Sequence, residues 1–457
     1  MNAYNRLYFL STSGMLMVLM VIMGMLIGKP CEAQISLVNN QGVSIYLKPG
    51  AYVIINNDSL HNYSGVIENA GQLRVAGDII NDGMLTGNPI GATGLYDIGG
   101  NWINNGSVIS YQDSVLLNGD ANGSSGSLGN QFIMGLNATQ FHHLILAGTP
   151  GSIKTQLVNA SVTGILDLRN HELATNQFEM KIENPSLVAI TKSGGSSGYV
   201  SSLDTGRLTR VTALSNDYWF PVGTPSSLVA LGESFYYRPV LINPITGNSN
   251  EYSVRLVNNP TGDGYDVAAI SDSLELVNAL FYHRIYHGQG SDPATITLCF
   301  MPSDGSWTDI ARHTGSLWTS TKLATLGTGF GPTAGFSTLS ITDWSNFTRY
   351  PFALATRPLI NESVNVYIPN AFSPNGDGNN DAFMAYTSND KGLVYFELLV
   401  FNRWGEIVFE SNTISQGWDG TYKGQLQNPD VYVYQATYGF RGEPLGKISK
   451  GSITLIR

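Results

Sequence analysis

The sequence predicts an all-β protein in three parts: an N-terminal β-solenoid-like or sandwich repeat region, a middle antiparallel β-sandwich and a C-terminal β-sandwich. Composition is the first reason. Gly numbers 51 and Tyr 23, while charged residues are only 13%, against about 25% in an average soluble domain. Gly supplies turns and Tyr favours pleated surfaces. The second reason is period: apolar residues alternate in short runs separated by turn signals, such as NPITGNSN and PSDGS, which is the strand pattern. The third is the scarcity of helical periodicity. Only SDSLELVNAL, from Ser271, suits a helical turn or two. The 457 residues suffice for roughly three domains of about 150 residues.

Residues 1–33 read as a signal peptide. Arg6 precedes an apolar run of 13 residues, Met15–Ile27, shorter than the roughly 20 a bilayer span needs. Cys31-Glu32-Ala33 places small residues at the positions a signal peptidase reads, so cleavage is expected before Gln34. An uncleaved anchor is the alternative, and Lys29-Pro30 is a poor approach to a lipidated Cys31. Cleavage removes Arg6, Lys29 and Glu32, taking the net charge from −10 to −11. It also leaves Cys299 as the sole thiol, within the alternating run TITLCF, where it reads as core. The acidic balance argues against a nucleic-acid partner, whose phosphates need clustered Lys and Arg.

Region 34–184 carries a repeat. GVIENAGQL from Gly65, GDIINDGML from Gly77 and GNWINNGSV from Gly100 align without gaps. Each reads as a short strand, an Asn turn, a Gly and another strand. Short strands that cannot bury a face alone stack, and turn Asn side chains can hydrogen-bond the next rung. A β-solenoid is therefore expected, with a β-sandwich as the alternative.

Region 185–356 opens on GGSSGYV and continues with RLTRVTAL, YYRPVLI, EYSVRLV, LFYHRIYHG and ATITLCF. This spacing suits an antiparallel sandwich. Residues 357–365 read as a linker.

The third unit spans 366–457. LVYFELLVFN places apolar residues on both faces of a strand, as in a central strand. Asn402-Arg403-Trp404-Gly405 closes a hairpin into GEIVFES. PNAFSPNGDGNND (Pro369–Asp381), FNRWGEIVFE (Phe401–Glu410), WDGTY (Trp418–Tyr422) and VYVYQ (Val431–Gln435) occur in that order. With these motifs the segment resembles the gliding motility-associated C-terminal domain family. The matching positions are Pro369, Asn370, Phe372, Pro374, Gly376, Gly378, Asn402, Arg403, Trp404, Gly405, Trp418, Asp419, Gly420 and Tyr432. Asp430 stands where the family usually has Gly, and Asp tolerates a left-handed conformation better than most residues. The resemblance implies a longer-type C-terminal sorting domain and, as partner, the type IX secretion machinery. It also implies a secreted chain, surface-attached or extracellular and associated with the outer membrane. YWFPVG (Tyr218–Gly223), YRPV (Tyr237–Val240) and WSNFT (Trp344–Thr348) resemble non-catalytic parts of such cargo. The terminal GSITLIR is either a strand offered to a transporter edge or an edge strand of its own sheet.

Asn375, Asp377, Asn379 and Asp381 alternate in a Gly-rich loop and form a candidate calcium site. Asn380 and Tyr386 replace the Gly and Glu an EF-hand needs, and Asx turns are the alternative. Calcium is the one cofactor considered, and none is required. Asp263 and Asp266 are a weaker candidate. Gly194-Gly195-Ser196-Ser197-Gly198 spells G-x-S-x-G without the strand–turn–helix context of a nucleophile elbow. His283 and His287 lack the Glu of a zincin, since Arg284 follows His283. In region 34–184 the cations Lys48, Arg74, Lys154, Arg169 and Lys181 are scattered, unlike a lyase site. Tyr46, Tyr52, Tyr63, Trp102 and Tyr111 either stack on sugars or pack the rungs.

The reading is thus a secreted, non-enzymatic surface protein, adhesin-like or structural. A glycan-binding surface protein and an enzyme of unseen chemistry on a β-solenoid are the alternatives.

Overall fold

The computed structural model describes residues 34–35, 38–56, 58–119, 129–193, 197–259, 264–321, 324–358, 366–387, 393–440 and 446–457. The expected leader 1–33 lies outside these, as do Gly194–Ser196, Asp263 and most of the linker. The chain forms two compact units. The first comprises residues to Ala269 and Leu276–Thr356, and the second comprises Arg357–Arg457 with Ile270–Glu275.

The first unit begins as a right-to-end stack of parallel rungs, each contributing a short strand to three faces. Tyr52–Ile55, Gln72–Val75, Leu95–Ile98, Ser114–Leu117 and His143–Leu146 follow one another on the first face. Their register stacks Ile55, Val75, Ile98, Leu117 and Leu146 into one buried column. Period-two alternation sends these side chains inward and their neighbours outward. Leu60, Ile79, Trp102 and Ile133 form the corresponding column of the second face. This is a β-solenoid of about eight turns, with every rung burying its apolar residues against the next.

The turn between second and third faces is built on an asparagine ladder. Asn40, Asn62, Asn81 and Asn104 occupy one register position and are buried. Asn40 Nδ2 donates to Asn62 Oδ1 at 2.9 Å, Asn62 to Asn81 at 2.8 Å and Asn81 to Asn104 at 2.9 Å. Glycines follow because the rungs leave no room. A Cβ on Gly83 would lie 2.4 Å from Gly65 O, and one on Gly106 would lie 2.1 Å from Gly83 O.

The ladder corrects the gapless repeat alignment. Asn81 and Asn104 are equivalent, but Asn69 belongs to the third-face strand Val66–Asn69, opposite Leu47 and Gly87. The true partner of Asn81 in the preceding rung is Asn62. Its segment, SLHNYSG, carries one more residue between Asn and Gly than NDG and NNG do, so a gapless comparison skips it.

Stacking continues past residue 184. Ile190–Thr191, Tyr199–Ser201 and Val222–Gly223 add further parallel strands to the first two faces. The strand Arg207–Thr212 ends the third face. It pairs parallel to Glu179–Ile182 on one side and antiparallel to Asn250–Asn258 on the other. From there the sheet is antiparallel, through Phe281–His287, Phe352–Thr356, Asp309–His313 and Trp318–Ser320. A second antiparallel sheet (Tyr218–Phe220, Val240–Pro244, Ala294–Phe300, Ser337–Trp344, Thr325–Thr328) packs with it. One apolar core runs from Leu47 to Leu354 through both parts. The sandwich thus pairs the last edge of the third face, which would otherwise be open. The helical turn expected in SDSLELVNAL does not extend into a helix: Leu274 N closes one turn on Ser271 O at 3.0 Å, and Leu276–Val277 is a short strand on Ala355–Thr356.

The second unit has its own core. Its sheet runs in the order Ala371–Phe372, Lys447–Leu455, Val431–Phe440, Leu393–Phe401, Ile407–Ser411. Phe396, Leu398 and Val400 face inward with Tyr432, Ala436, Tyr438 and Ile453.

Candidate functional site

The motif residues of the second unit gather at one end of its sheet. Phe401 pairs with Ile407 and Val433, and Val431 pairs with Thr454. The Asn402–Glu406 hairpin tip, the start of Val431–Phe440 and the end of Lys447–Leu455 therefore share that end. Asn402 Oδ1 accepts from Trp404 N and Glu406 N, each at 3.0 Å. Gly405 has φ 80°, a left-handed conformation that suits Gly. Arg403 pairs with Asp430 Oδ2. Asp430 is not left-handed. Its Oδ1 accepts from Val431 N and its carbonyl from Leu455 N, so the departure from Gly supplies an ion pair instead of a turn conformation. Trp404 has no such account: its ring is 86% exposed.

Beneath the tip lies an aromatic floor. Trp418 is buried, donates from Nε1 to Thr421 O at 2.8 Å, and meets Tyr432 edge-on with ring centroids 4.8 Å apart. Phe372 packs on Trp418 at 5.3 Å. Tyr432 donates to Asn428 O at 3.0 Å, and burial raises the pKa of its hydroxyl. Asp419 Oδ1 accepts from Thr421 N and Oγ1. Gly420 has φ 77°, and a Cβ there would lie 3.2 Å from Pro374 and 3.3 Å from Leu455. Half-buried Pro369 leads into Asn370, whose carbonyl accepts from Thr454 N at 2.9 Å. Two contacts were not evident from the sequence. Tyr422 donates to Glu406 at 2.8 Å, and this bond, aided by Lys423, lowers the Glu406 pKa. Arg457 donates to Gly420 O at 3.3 Å.

The candidate calcium loop is held by its own amides. Asp381 Oδ1 accepts from Asn375 N at 3.0 Å and Gly376 N at 2.7 Å, and Oδ2 accepts from Gly378 N at 2.8 Å. These bonds lower the Asp381 pKa. Asn375 Oδ1 caps Asp377 N, and Asp377 Oδ1 caps Asn379 N. Gly376 and Gly378 are left-handed at φ 80° and 83°. Asn375 and Asp377 thus form Asx turns and both Asp381 oxygens turn to backbone N–H groups. Among the described residues no group of three or more His, Cys, Asp or Glu is arranged to hold a metal.

In the first unit, His283 and His287 lie four apart on one strand, about 13 Å along it, too far to share an ion. His283 is buried against Arg238 O at 2.9 Å, and burial lowers its pKa to about 4. His287 stacks on Tyr252 at 4.4 Å. Cys299 is buried and its thiol pushed up to about 12. Asp266 Oδ1 accepts from nearby Ala268 N at 2.9 Å. Ser197 donates to Asn170, while the preceding residues of that G-x-S-x-G string are not described.

Trp102 is not a surface aromatic. It is 1% exposed, between Tyr96 and Phe141, and donates to Thr139 Oγ1 at 3.1 Å. Tyr46, Tyr52, Tyr63 and Tyr111 are exposed but lie on different faces and corners of the coil, so they form no common platform. Lys154, one of the scattered cations, lies inside the solenoid. Its Nζ reaches Gln131 Oε1 at 2.7 Å and Gly129 O at 3.1 Å, and burial lowers its pKa to about 7. Arg74 pairs with Asp97 at 3.9 Å and Arg169 with Asp167 at 3.5 Å, and Lys181 meets Glu251.

Neither a curated protein nor a solved structure matches the chain. Residues 366–455 match the family described as CHU_C Type IX secretion signal domain. The C-terminal unit is accordingly a type IX C-terminal sorting domain, and it marks the protein for export to the cell surface or the extracellular space.

Proposed function

We propose that the protein is a non-catalytic surface protein, adhesin-like or structural, whose β-solenoid and sandwich body is delivered by its sorting domain and held at the outer membrane. The observation that carries this reading is the pairing of a family-matched sorting domain with a body whose interior polar groups serve the fold. Asn ladders bridge rungs. Arg238 is clamped to Asp304. Arg210 donates to the carbonyls of Trp219 and Ser186 at 2.8 Å each. Hydrogen-bonded buried groups of this kind rigidify and specify a fold. Deleting residues 367–457 tests delivery: the truncated chain should stay in the periplasm, and normal surface arrival would refute the reading.

Glycan binding is a second reading, now favoured by other aromatics than the solenoid tyrosines. Phe235, half exposed, meets Tyr199 at 5.4 Å, and Tyr237 meets Tyr199 at 6.4 Å and Phe336 at 5.9 Å. Phe235 is the exposed ring of this cluster, while Tyr199 beneath it is buried, and a supported exposed ring suits sugar stacking. A glycan array with the body, compared with its Phe235→Ala variant, separates this from a purely structural role.

A further inference from the structure

The strand Lys447–Leu455 lies second in its sheet, not at a closed position. Its inner side is paired along most of its length with Val431–Phe440. On its outer side, Thr454 N donates to Asn370 O and Ile456 N to Phe372 O, each at 2.9 Å, whereas Leu455 N turns the other way to Asp430 O. Because strand geometry repeats every two residues, the amides and carbonyls of Ile448, Lys450 and Ser452 point to the same side as those of Thr454. Among the described residues, the strand on that side is Ala371–Phe372, which covers Thr454 and Leu455. Ile448, Lys450 and Ser452 are exposed, and their outward backbone groups are a free template for another strand.

We infer that this open edge, centred on Lys450, receives an extended, acidic strand of the export machinery by β-augmentation. The inference rests on the sorting function above and names the place and chemistry of docking. The occupant follows from charge and symmetry. A second copy of this chain pairing antiparallel about the centre of the edge would set Lys450 against Lys450, and like charges directly opposite are destabilising. The in-sheet neighbour of Lys450 is neutral Gln435. A carboxylate on an incoming strand, opposite Lys450, turns the same geometry into a favourable cross-strand pair, while the backbone ladder supplies affinity. The edge thus disfavours self-association and selects an acidic partner.

Three variants of the full-length chain test this in the cell, with the surface-to-periplasm ratio as readout and thermal melting of the purified protein as the fold control. Ser452→Pro removes an outward N–H that the internal ladder does not use, as proline tolerates on an edge. Lys450→Glu reverses the charge, and Lys450→Arg keeps it. Ser452→Pro and Lys450→Glu should each lower surface delivery about tenfold at unchanged melting, with Lys450→Arg like wild type. Should the proline disturb melting, Lys450→Glu decides, because it alters only an exposed side chain. Wild-type delivery of Lys450→Glu, with the chain lacking 367–457 still retained, overturns the docking edge and leaves the sorting function standing. Delivery of the truncated chain as well overturns both.

Discussion

Asn62 Nδ2 donates to Asn81 Oδ1 at 2.8 Å, joining two side chains at the same position of successive solenoid rungs. Asn81 in turn donates to Asn104 Oδ1 and to Ser107 O at 3.0 Å. Each asparagine both accepts and donates, so the ladder satisfies turn backbone groups that the coil buries. Asn81→Ala should destabilise the first unit by about 3 kcal/mol, because it strands a buried carbonyl and breaks the ladder in its middle. His61→Ala, which removes the surface contacts to Asp82 and to the Tyr63 ring, should cost about 1 kcal/mol or less. Urea unfolding of both variants checks the contrast.

Lys154 gives the solenoid a pH dependence. Its folded pKa is about 7, against about 10.4 for an unfolded lysine. Between these values the unfolded chain holds a proton that the folded chain lacks, so stability rises with pH from 7 towards 10 and this contribution is level below 7. Urea midpoints between pH 7 and 9.5 should climb for the wild type. In Lys154→Met the climb should flatten.

The Asp381 carboxylate is bonded by three backbone amides. Calcium should therefore leave the melting of the C-terminal unit unchanged, and chelator should do the same. Asp381→Ala should open the loop, seen as faster proteolysis between Ser373 and Asp381. A melting shift with millimolar calcium would show instead that the oxygens turn to a cation.

At the hairpin tip, shape and recognition separate. Asn402→Ala removes the acceptor of two amides and should lower the melting temperature of the unit. Trp404→Ala removes an exposed ring and should change stability by less than about 0.5 kcal/mol. Its effect belongs in the export assay, where lower delivery at unchanged melting is expected of an exposed aromatic anchor.

Much of this architecture was legible in residues. The Gly/Asn repeat announced turns between short strands, and its recurrence pointed to stacking, although Asn and Gly serve hairpin turns equally well. The sorting motifs announced the last unit. What remained hidden is non-local. Asn62 escaped because one inserted residue shifted it out of a gapless alignment, and Asn69 was taken in its place. Lys154 was legible only as one of several scattered cations, and Trp102 was left between sugar stacking and rung packing, because alternation alone does not say which face points inward; the register with Gln131 and Ile133 turns both in. The switch from parallel to antiparallel pairing occurs on a single strand, Arg207–Thr212, whose local sequence is the same whichever partner lies beside it. Thus the change of composition near residue 185 marks no break in the stack. In the sorting unit, Gly376, Gly378 and Gly405 were legible as turns, but the Arg403–Asp430 pair joins residues whose proximity only the sheet creates.

Grafting residues 366–457 onto a periplasmic passenger, in a cell with a type IX secretion system, tests the central claim most directly. The unit has its own core, so it should carry the passenger to the cell exterior, where added protease reaches it. A grafted passenger that is folded, intact and still confined to the periplasm would contradict the account.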